Sequence, residues 1–417
     1  MEKKDKNLNV PNLRFPEFSG EWEKGTLQSV ATLSKGTGIS KDQLSEDGQP
    51  CILYGELYTK YKSEIIDVII SKTDIDSQKL VRSQTNDVII PCSGESAVDI
   101  ATARCVKQSD VLLGGDLNII RLKGEHDGSF FAYQLNGKRK YDIAKVAQGV
   151  SVVHLYGEHL KGVKVDYPSA AEQKKISSLL ALIDQRIETQ KKIIEDLKKL
   201  KDAIAEKLFC CPDDESPGLR VENSSDRWNL YRLKDVCQRI TERNSQESSS
   251  LVLTIAAQYG LVSQTDFFNK SVASENLSNY YLIRKGDFAY NKSYSGEYAW
   301  GAVKRLELYE KGVLSPLYIC FRPNPLIVYS DFLSHYFETH KWHNGIAQIA
   351  GEGARNHGLL NISISDFFET IHRFPELPEQ QRIASYLNSL SDKISLANKV
   401  LESYTRQKQY LLARMFI

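Results

Sequence analysis

The chain of 417 residues contains an internal repeat, and no other feature of the sequence restricts its possible folds as strongly. The segment Tyr-Pro-Ser-Ala-Ala-Glu-Gln-Lys-Lys-Ile begins at Tyr167, and the related segment Phe-Pro-Glu-Leu-Pro-Glu-Gln-Gln-Arg-Ile begins 207 residues later at Phe374. A second pair of related segments begins at Trp22 and Trp228. A period of roughly 200 residues is far longer than the 20–50 residues of a solenoid repeat. The sequence therefore predicts two tandem halves, each with a domain of its own.

The composition is that of an ordinary globular protein, with 41% hydrophobic and 26% charged residues. Because 54 Lys and Arg nearly balance 53 Asp and Glu, the net charge argues neither for nor against a nucleic-acid partner. The first ten residues lack an apolar signal region, and we find no run of about 18 apolar residues. We therefore expect a cytoplasmic protein that makes no membrane contact.

Long helices with a heptad pattern are predicted at the end of each half. From Ile176, apolar residues occupy eight of ten seam positions, and the same heptads shifted to Ile383 have nine of ten. A lysine interrupts both seams at the equivalent positions Lys201 and Lys408. The first helix, Glu172 to Phe209, should be about 57 Å long. Because a parallel pair would force the linker back along the rod, the short connection favours an antiparallel coiled coil. The simpler alternative is that each helix packs only on its own domain.

The fold class predicted is α+β, with two tandem mixed domains, two long helices and a pseudo-two-fold internal repeat. The boundaries expected are 1–168 for the first domain, 169–209 for its helix, 210–227 for the linker, 226–375 for the second domain and 376–417 for the last helix. Short β-branched or aromatic segments predict strands at 65–70, 87–90, 117–122, 251–255, 286–290 and 317–321. One helix is expected in each domain, at 130–147 and 331–350, and each is followed by a glycine-containing loop.

No set of residues with catalytic or metal-binding spacing is evident in the sequence. Walker A, H-E-x-x-H and G-x-S-x-G motifs are missing, and the seven cysteines include no C-x-x-C pair. The histidines His335, His340 and His343 lack a completing ligand and an i, i+4 pair, so we expect no metal site.

The order and duplication of the motifs resemble the specificity subunit of type I restriction-modification enzymes, over essentially the whole chain. In the second half the motif residues are Trp228, Gly286-Asp287-Phe288, Ser295-Gly296, Gly353 with Leu359, and Pro375 with Glu379-Gln380. In the first half they are Trp22, Asn86-Asp87-Val88, Ser93-Gly94, Gly149 with Leu155, and Pro168 with Glu172-Gln173. The first half departs from the second at Asn86, which replaces a glycine, and at Ala171, which replaces Pro378.

This resemblance implies a non-catalytic subunit in which each domain is a target recognition domain for one half of a bipartite, asymmetric DNA sequence. It also implies that the helix pair sets the half-site spacing and docks two methyltransferase subunits, with restriction (translocase) subunits as further partners. No cofactor is then expected in this chain, because S-adenosylmethionine, ATP and Mg²⁺ belong to the partner subunits. On this interpretation, four residues inserted near Lys199 should lengthen the gap by roughly two base pairs.

Polar loop residues are the candidates for contacts with double-stranded DNA, since amide, guanidinium and hydroxyl groups pair with base edges and phosphates. The alternative is that half or more of them are ordinary solvated loop residues or contact phosphates without reading the sequence. Tyr54 and Gln258 are weaker candidates. The candidates of the first domain are Ser93, Glu95, Ser96, Gln148, Ser151 and His154, and those of the second are Lys292, Ser293, Tyr294, Ser295, Arg355, Asn356 and His357.

Two functions of other classes stay open at this stage. The first is a coiled-coil assembly scaffold whose domains bind proteins rather than DNA. The second is an enzyme with an unrecognised active site, for which the sequence offers no nucleophile, base or metal set.

Overall fold

The computed structural model describes residues 9–76, 78–221, 227–256, 260–268, 276–293, 298–350, 358 and 360–417, and these fall into two compact units. The first unit is Met1–Lys192 with Lys399–Ile417, and the second unit is Ile193–Asn398. Each unit thus combines the globular part of one repeat with a segment of each long helix. The expected boundaries, which separate the helices from the globular domains, stay a prediction.

Short strands dominate the globular part of the first unit. The strands are β1 (Glu23–Thr26), β2 (Ala31–Lys35), β3 (Leu44–Ser45), β4 (Gln49–Ile52), β5 (Ile65–Ile66), β6 (Ser71–Thr73), β7 (Asp87–Pro91), β8 (Ser93–Gly94), β9 (Arg104–Val106), β10 (Leu112–Leu113), β11 (Leu117–Leu122), β12 (Val153–His154) and β13 (Lys164–Tyr167). The helices are α1 (Leu27–Val30), α2 (Glu56–Thr59), α3 (Ala97–Ile100), α4 (Gly128–Asn136), α5 (Lys140–Val146), α6 (Gly157–Lys161) and the long α7 (Ala170–Leu208).

The core of the first unit forms on both faces of a sheet with the order β2-β11-β7-β9-β5. Side chains alternate along β7, and all five of its residues are buried. Val88 and Ile90 face a cluster with Phe130 and Phe131 of α4, whereas Ile89 faces Ile52 of the second sheet, β10-β4-β6-β3. A strand buried on both faces explains the continuous apolar run Val-Ile-Ile.

The second unit is built in the same way, with ten strands among the residues that the structure describes. These are β14 (Asn229–Arg232), β15 (Cys237–Arg239), β16 (Leu253–Ala256), β17 (Gly260–Ser263), β18 (Tyr281–Arg284), β19 (Phe288–Asn291), β20 (Ala302–Arg305), β21 (Lys311–Leu314), β22 (Ile319–Pro323) and β23 (Ile371–Phe374). The helices are α8 (Leu233–Val236), α9 (Gln264–Phe268), α10 (Ser330–Tyr336), α11 (His343–Ile349), α12 (Ile364–Glu369) and the long α13 (Leu377–Arg414). Its main sheet has the order β15-β22-β19-β20, and β19 again sends Phe288 and Tyr290 to one cluster and Ala289 to another.

The segments that define the repeat form the same buried contacts in both units. Glu23 of β1 lies opposite Tyr167 of β13, and Asn229 of β14 lies opposite Phe374 of β23, both in antiparallel pairs. The indole of Trp22 donates to Glu172 over 3.4 Å, and that of Trp228 donates to Glu379 over 3.1 Å. The matched motifs therefore connect the first strand of each globular part to its last strand and to the start of the long helix, through backbone pairing and the indole hydrogen bond.

In both units, the aspartate of the motif at the start of the central strand, Asp87 or Asp287, forms an ion pair within the fold. Asp87 accepts two hydrogen bonds from the guanidinium of Arg121 at 3.0 and 2.8 Å, and Asp287 accepts two from Arg322 at 2.6 and 2.8 Å. The preceding residue has a positive φ in each case, 73° for Asn86 and 90° for Gly286. Asparagine is one of the few residues other than glycine that adopts this conformation readily, which explains the departure of the first half.

The long helices contact each other within each unit. In the first unit, Ile176, Leu180 and Ile187 of α7 share a cluster with Leu411 of α13 and with Met415, which follows its last residue. In the second unit, Ala205 and Leu208 of α7 share a cluster with Ile383 and Leu387 of α13. The early part of each helix thus packs with the late part of the other, as an antiparallel pair requires. Coiled-coil geometry along the whole length stays a prediction.

Several predicted elements differ from the structure. The single helix expected at 130–147 is two helices, α4 and α5, because the chain turns at Gly137, whose N–H donates the last hydrogen bond of α4 to the carbonyl of Tyr133. The helix expected at 331–350 is likewise divided into α10 and α11. The strand expected at 65–70 ends at Ile66. The other predicted strands overlap β7, β11, β16, β19 and β22.

A buried histidine of the second unit makes its stability sensitive to acid. His372 is 2% exposed. The hydroxyl of Thr370 donates to the carbonyl of Phe367, so it must accept from Nε2 of His372, 2.8 Å away. Nδ1 is then free to accept from the hydroxyl of Tyr336 at 2.9 Å. These partners match the neutral imidazole, and burial lowers the pKa of His372 to about 3.

We expect the second unit to lose roughly 2 kcal/mol of stability between pH 7 and pH 5 through His372 alone. The unfolded histidine takes up a proton below about pH 6.5, whereas the folded one does so only near pH 3. Stability is therefore lost as the pH falls through this window. Urea unfolding followed by the fluorescence of Trp228 and Trp342, which share the buried cluster, measures the effect. His372→Gln should flatten the pH dependence and the exposed control His154→Gln should not; equal slopes for all three proteins would contradict the assignment.

Candidate nucleic-acid interface

Two of the predicted recognition loops meet in the first unit. Immediately after the central strand β7, Ser93 and Gly94 form β8, and this strand pairs antiparallel with Val153 and His154 of β12. The hydroxyl of Tyr58 donates to the carbonyl of Ser93 over 3.0 Å. A Cβ on Gly94 would lie 2.9 Å from that hydroxyl, so glycine allows the close approach. The Ser-Gly motif and the glycine loop thus form one surface.

The glycine loop is a closed hairpin. Gln148 and His154 exchange backbone hydrogen bonds of 2.9 and 2.7 Å, which close the five residues between them. Gly149 has φ 121°, and a Cβ there would lie 2.1 Å from the carbonyl oxygen of Val152. Only glycine fits this position without rearrangement, which gives a physical reason for the glycine in the motif.

The base of the hairpin is anchored to the core. The N–H of Leu155 donates to the carbonyl of Cys92 over 2.8 Å, and the side-chain amide of Asn118 donates to the carbonyl of Leu155 over 2.9 Å. Leu155 itself is fully buried. The hairpin is therefore held at its base by the central sheet while its tip is exposed.

A cleft of about 710 Å³ opens between these loops and α2. Of the predicted contact residues, Tyr54, Glu95 and Ser151 line it with exposed side chains. Its full lining is Tyr54, Gly55, Leu57, Tyr58, Thr59, Ser93, Gly94, Glu95, Asp99, Thr102, Arg104, Ser151 and Val152.

The other predicted residues of the first unit are placed differently. Ser93 also lines the cleft, but it is 9% exposed and its hydroxyl donates to Asp116 over 3.2 Å. Ser96 caps α3, where its hydroxyl accepts from the N–H of Asp99. Gln148 and His154 are exposed on the hairpin, and the ring of His154 stacks on Tyr156 with 6.2 Å between centroids. Contacts with DNA by any of these residues stay a prediction.

Sequence reasoning missed several side chains of the cleft, among them Asp99, Arg104 and Val152. Arg104 lies on β9, and its guanidinium donates to the carbonyl of Tyr61 over 3.3 and 3.2 Å. Burial lowers the pKa of Arg104. Arg104 and Asp99 fall outside every motif, and nothing in the sequence marks them as neighbours of the glycine loop.

In the second unit, the corresponding strand end is described only in part. The carbonyl of Lys292 accepts from the N–H of Leu360 over 2.9 Å. This hydrogen bond resembles the one between Cys92 and Leu155, although the sequence motif aligns Leu359 with Leu155. The ammonium of Lys292 donates to the carbonyl of Ile362 over 3.3 Å, and the N–H of Ser293 donates to the side chain of Asn291. Six predicted or weaker candidates lie outside the described residues: Gln258, Tyr294, Ser295, Arg355, Asn356 and His357.

Metal-ligand clusters and membrane-spanning helices are both missing from the described part of the chain. Among these residues, no group of three or more His, Cys, Asp or Glu side chains is placed to hold a metal ion. Within the same residues, no helix combines the length and the apolar character that crossing a membrane requires.

The fold and the cleft define a class: a duplicated α+β protein whose two copies share buried contacts and differ in the sequence of their loops. The family model of the type I restriction modification DNA specificity domain matches residues 19–199 and 225–405. The chain belongs to this family.

A curated relative is similar to this chain in sequence, and two solved structures are similar to it in fold. The type I restriction enzyme MjaVIII specificity subunit of Methanocaldococcus jannaschii is 24% identical over 237 residues, which cover 56% of this chain and 52% of that protein. The match thus spans about half the length of that relative. The fold is similar to that of a type I restriction-modification S subunit from M. genitalium, with a TM-score of 0.58, 17% identity and coverage of 98% and 99% of the two chains. A structure from a study of complex assembly and conformational transition of the type I system gives a TM-score of 0.57, 13% identity and coverage of 95% and 97%.

Proposed function

We propose that this chain is the DNA-recognition subunit of a type I restriction-modification complex and that each unit reads one half of a bipartite, asymmetric target. One observation carries the proposal: the family model matches both halves, and in the half that is described most fully the matched motifs build an exposed cleft on a rigid base. Since the loops of the two units differ in sequence, the two half-sites differ.

The chain recognises DNA and leaves the chemistry to its partners. Polar side chains on the hairpin and the Ser-Gly loop meet base edges in the major groove, while other loop residues contact phosphates. Two methyltransferase subunits dock on the helices, and restriction (translocase) subunits join the complex. S-adenosylmethionine, ATP and Mg²⁺ are bound by those partners in the cytoplasm, and the spacing of the half-sites depends on the two long helices.

The test is to co-express the chain with the methyltransferase subunit of its system and to map methylated adenines across a genome by single-molecule sequencing. We expect one split motif. Replacing residues 27–163, which lie between β1 and β13, with those of another specificity subunit should change one half of the motif. Replacing residues 233–370, between β14 and β23, should change the other half.

Expression of the methyltransferase without this chain is the control and should give no motif. If the complex forms but methylates no defined sequence and shows no salt-dependent binding to DNA, the assembly scaffold is the better account. If both replacements change the same half of the motif, the proposal that each unit recognises one half-site is wrong.

A further inference from the structure

The hairpin beside the cleft presents apolar side chains to solvent. Val150 is 96% exposed and Val152 is 54% exposed. Val152 lines the cleft, and Val150 follows Gly149 at the tip of the hairpin. Tyr54, 39% exposed, lines the same cleft.

These valines are held in place rather than left on a loose loop. The backbone pair of Gln148 and His154 closes the hairpin, and Gly149 packs against the carbonyl of Val152. The pairing of β12 with β8 then fixes the hairpin relative to the strand end. Exposed apolar atoms on a fixed loop lose little conformational entropy on binding, so the loop is suited to contact a ligand.

The charges of the cleft indicate which part of DNA fits it. Glu95 is exposed, lines the cleft, and has no hydrogen-bond or ion-pair partner among the residues that the structure describes. Asp99 adds a second carboxylate, which accepts from the hydroxyl of Ser96 at 2.6 Å. Arg104, a cation that also lines the cleft, already donates to the carbonyl of Tyr61. The two carboxylates disfavour a phosphate, whereas a carboxylate accepts hydrogen bonds from the amino group of a base.

In the major groove, thymine is the base with an apolar group, its C5-methyl, and that methyl is the usual partner of an apolar side chain. We propose that Val150 and Val152 contact the C5-methyl group of a thymine in the half-site read by the first unit, with Glu95 turned to an exocyclic amino group of the same or the next base pair. The proposal rests on the DNA-recognition function above.

The experiment uses the complex with its methyltransferase partner and duplexes that carry the mapped target. Each thymine of the first half-site is replaced in turn by deoxyuridine, which removes the methyl group and keeps base pairing. We expect the affinity to fall roughly three- to tenfold at one or two positions. Thymines of the second half-site serve as controls and should tolerate the replacement.

A double-mutant cycle then assigns the effect to the valines. In Val150→Ser combined with Val152→Ser, which removes the methyl groups of both side chains, uracil and thymine should bind alike at the sensitive position. Val68→Ser is the matched control, because Val68 is 72% exposed in the same unit and does not line the cleft.

Three results would overturn the proposal: a first half-site without thymine on either strand, no effect of deoxyuridine at any position, or an effect that persists unchanged in the valine variant. Each leaves the split methylation motif intact and so leaves the proposed function standing. Loss of the motif itself is the separate result that counts against the function.

Discussion

Replacing Lys408 by methionine is expected to lower the free energy of unfolding of the first unit by about 3–5 kcal/mol. Lys408 occupies a polar position of the helix seam, and its ammonium lies 2.6 Å from Glu64 and 2.6 Å from Asp184. The hydroxyl of Tyr133 donates to the other oxygen of Asp184 over 2.7 Å. Without the lysine, two carboxylates remain next to each other in a site where each is only about a tenth exposed.

The pKa shifts of this cluster have the same physical origin. Burial alone would lower the pKa of Lys408, but Glu64 and Asp184 outweigh burial and raise it. Burial raises the pKa of Asp184, and the charge of Glu64 raises it further. Burial opposes ionisation of Glu64 as well, but Lys408 and Arg104 hold its pKa below the usual range. The stabilisation by Glu64 is thus present above the unfolded pKa of a glutamate and is lost as the pH falls through the lowered value.

Urea unfolding with hydrogen exchange of peptides from α4, which contains Tyr133, measures the loss in the first unit. Lys201→Met is the matched control at the equivalent seam position. Lys201 pairs with Glu338, which is 40% exposed, so this variant should cost only about 1 kcal/mol in the second unit. Adding Glu64→Gln and Asp184→Asn to Lys408→Met should restore much of the stability, since the buried charges are then gone. Equal losses for Lys408→Met and Lys201→Met would contradict this account.

Replacing Gly149 by alanine is expected to reduce the affinity of the complex for its target at least roughly tenfold, with little change in the stability of the first unit. The added Cβ would meet the carbonyl of Val152, and φ 121° is unfavourable for alanine. The hairpin must open, which displaces Ser151 and Val152 from the cleft. Breaking one specific pairing between a side chain and a base costs about 1–3 kcal/mol.

Gly38→Ala is the control for this prediction, because a Cβ on Gly38 meets no atom within 4 Å. Fluorescence anisotropy with the mapped target and with an unrelated duplex separates specific from non-specific binding. Weakening on both duplexes alike would mean that the hairpin contacts phosphates rather than bases. Unchanged binding to the target would remove the hairpin from the interface.

The parts of the fold that could be predicted are those marked by a pattern in the sequence itself, such as a heptad repeat or a duplicated segment. The heptads predicted the two long helices, which the structure has at Ala170–Leu208 and Leu377–Arg414, and the duplicated segments predicted two units. The two lysines of the seam were visible as exceptions. Their partners Glu64 and Glu338 were not predictable, because they come from remote segments that carry no motif.

The sequence motifs predicted which loops form the candidate site, but they did not predict which side chains those loops expose. The Ser-Gly and glycine motifs pointed to the segments that meet at β8 and β12, although two-residue strands leave no periodic pattern to detect. Reasoning from polar residues passed over Val150 and Val152, whose exposure only the structure reveals. It gave Ser93 and Ser96 as candidates for DNA contacts, and the structure shows that the hydroxyl of Ser93 donates to Asp116 and that Ser96 caps α3.

The packing of the last residues against the first unit has a consequence for synthesis on the ribosome. Leu411, Met415 and Phe416 belong to the core that contains Trp22 and Phe130. About 200 residues separate the end of α7 from Leu411, so at about 5–20 residues per second the nascent first unit waits roughly 10–40 s with part of its core uncovered. The second unit, whose segments are contiguous in the chain, completes its core before the first unit does.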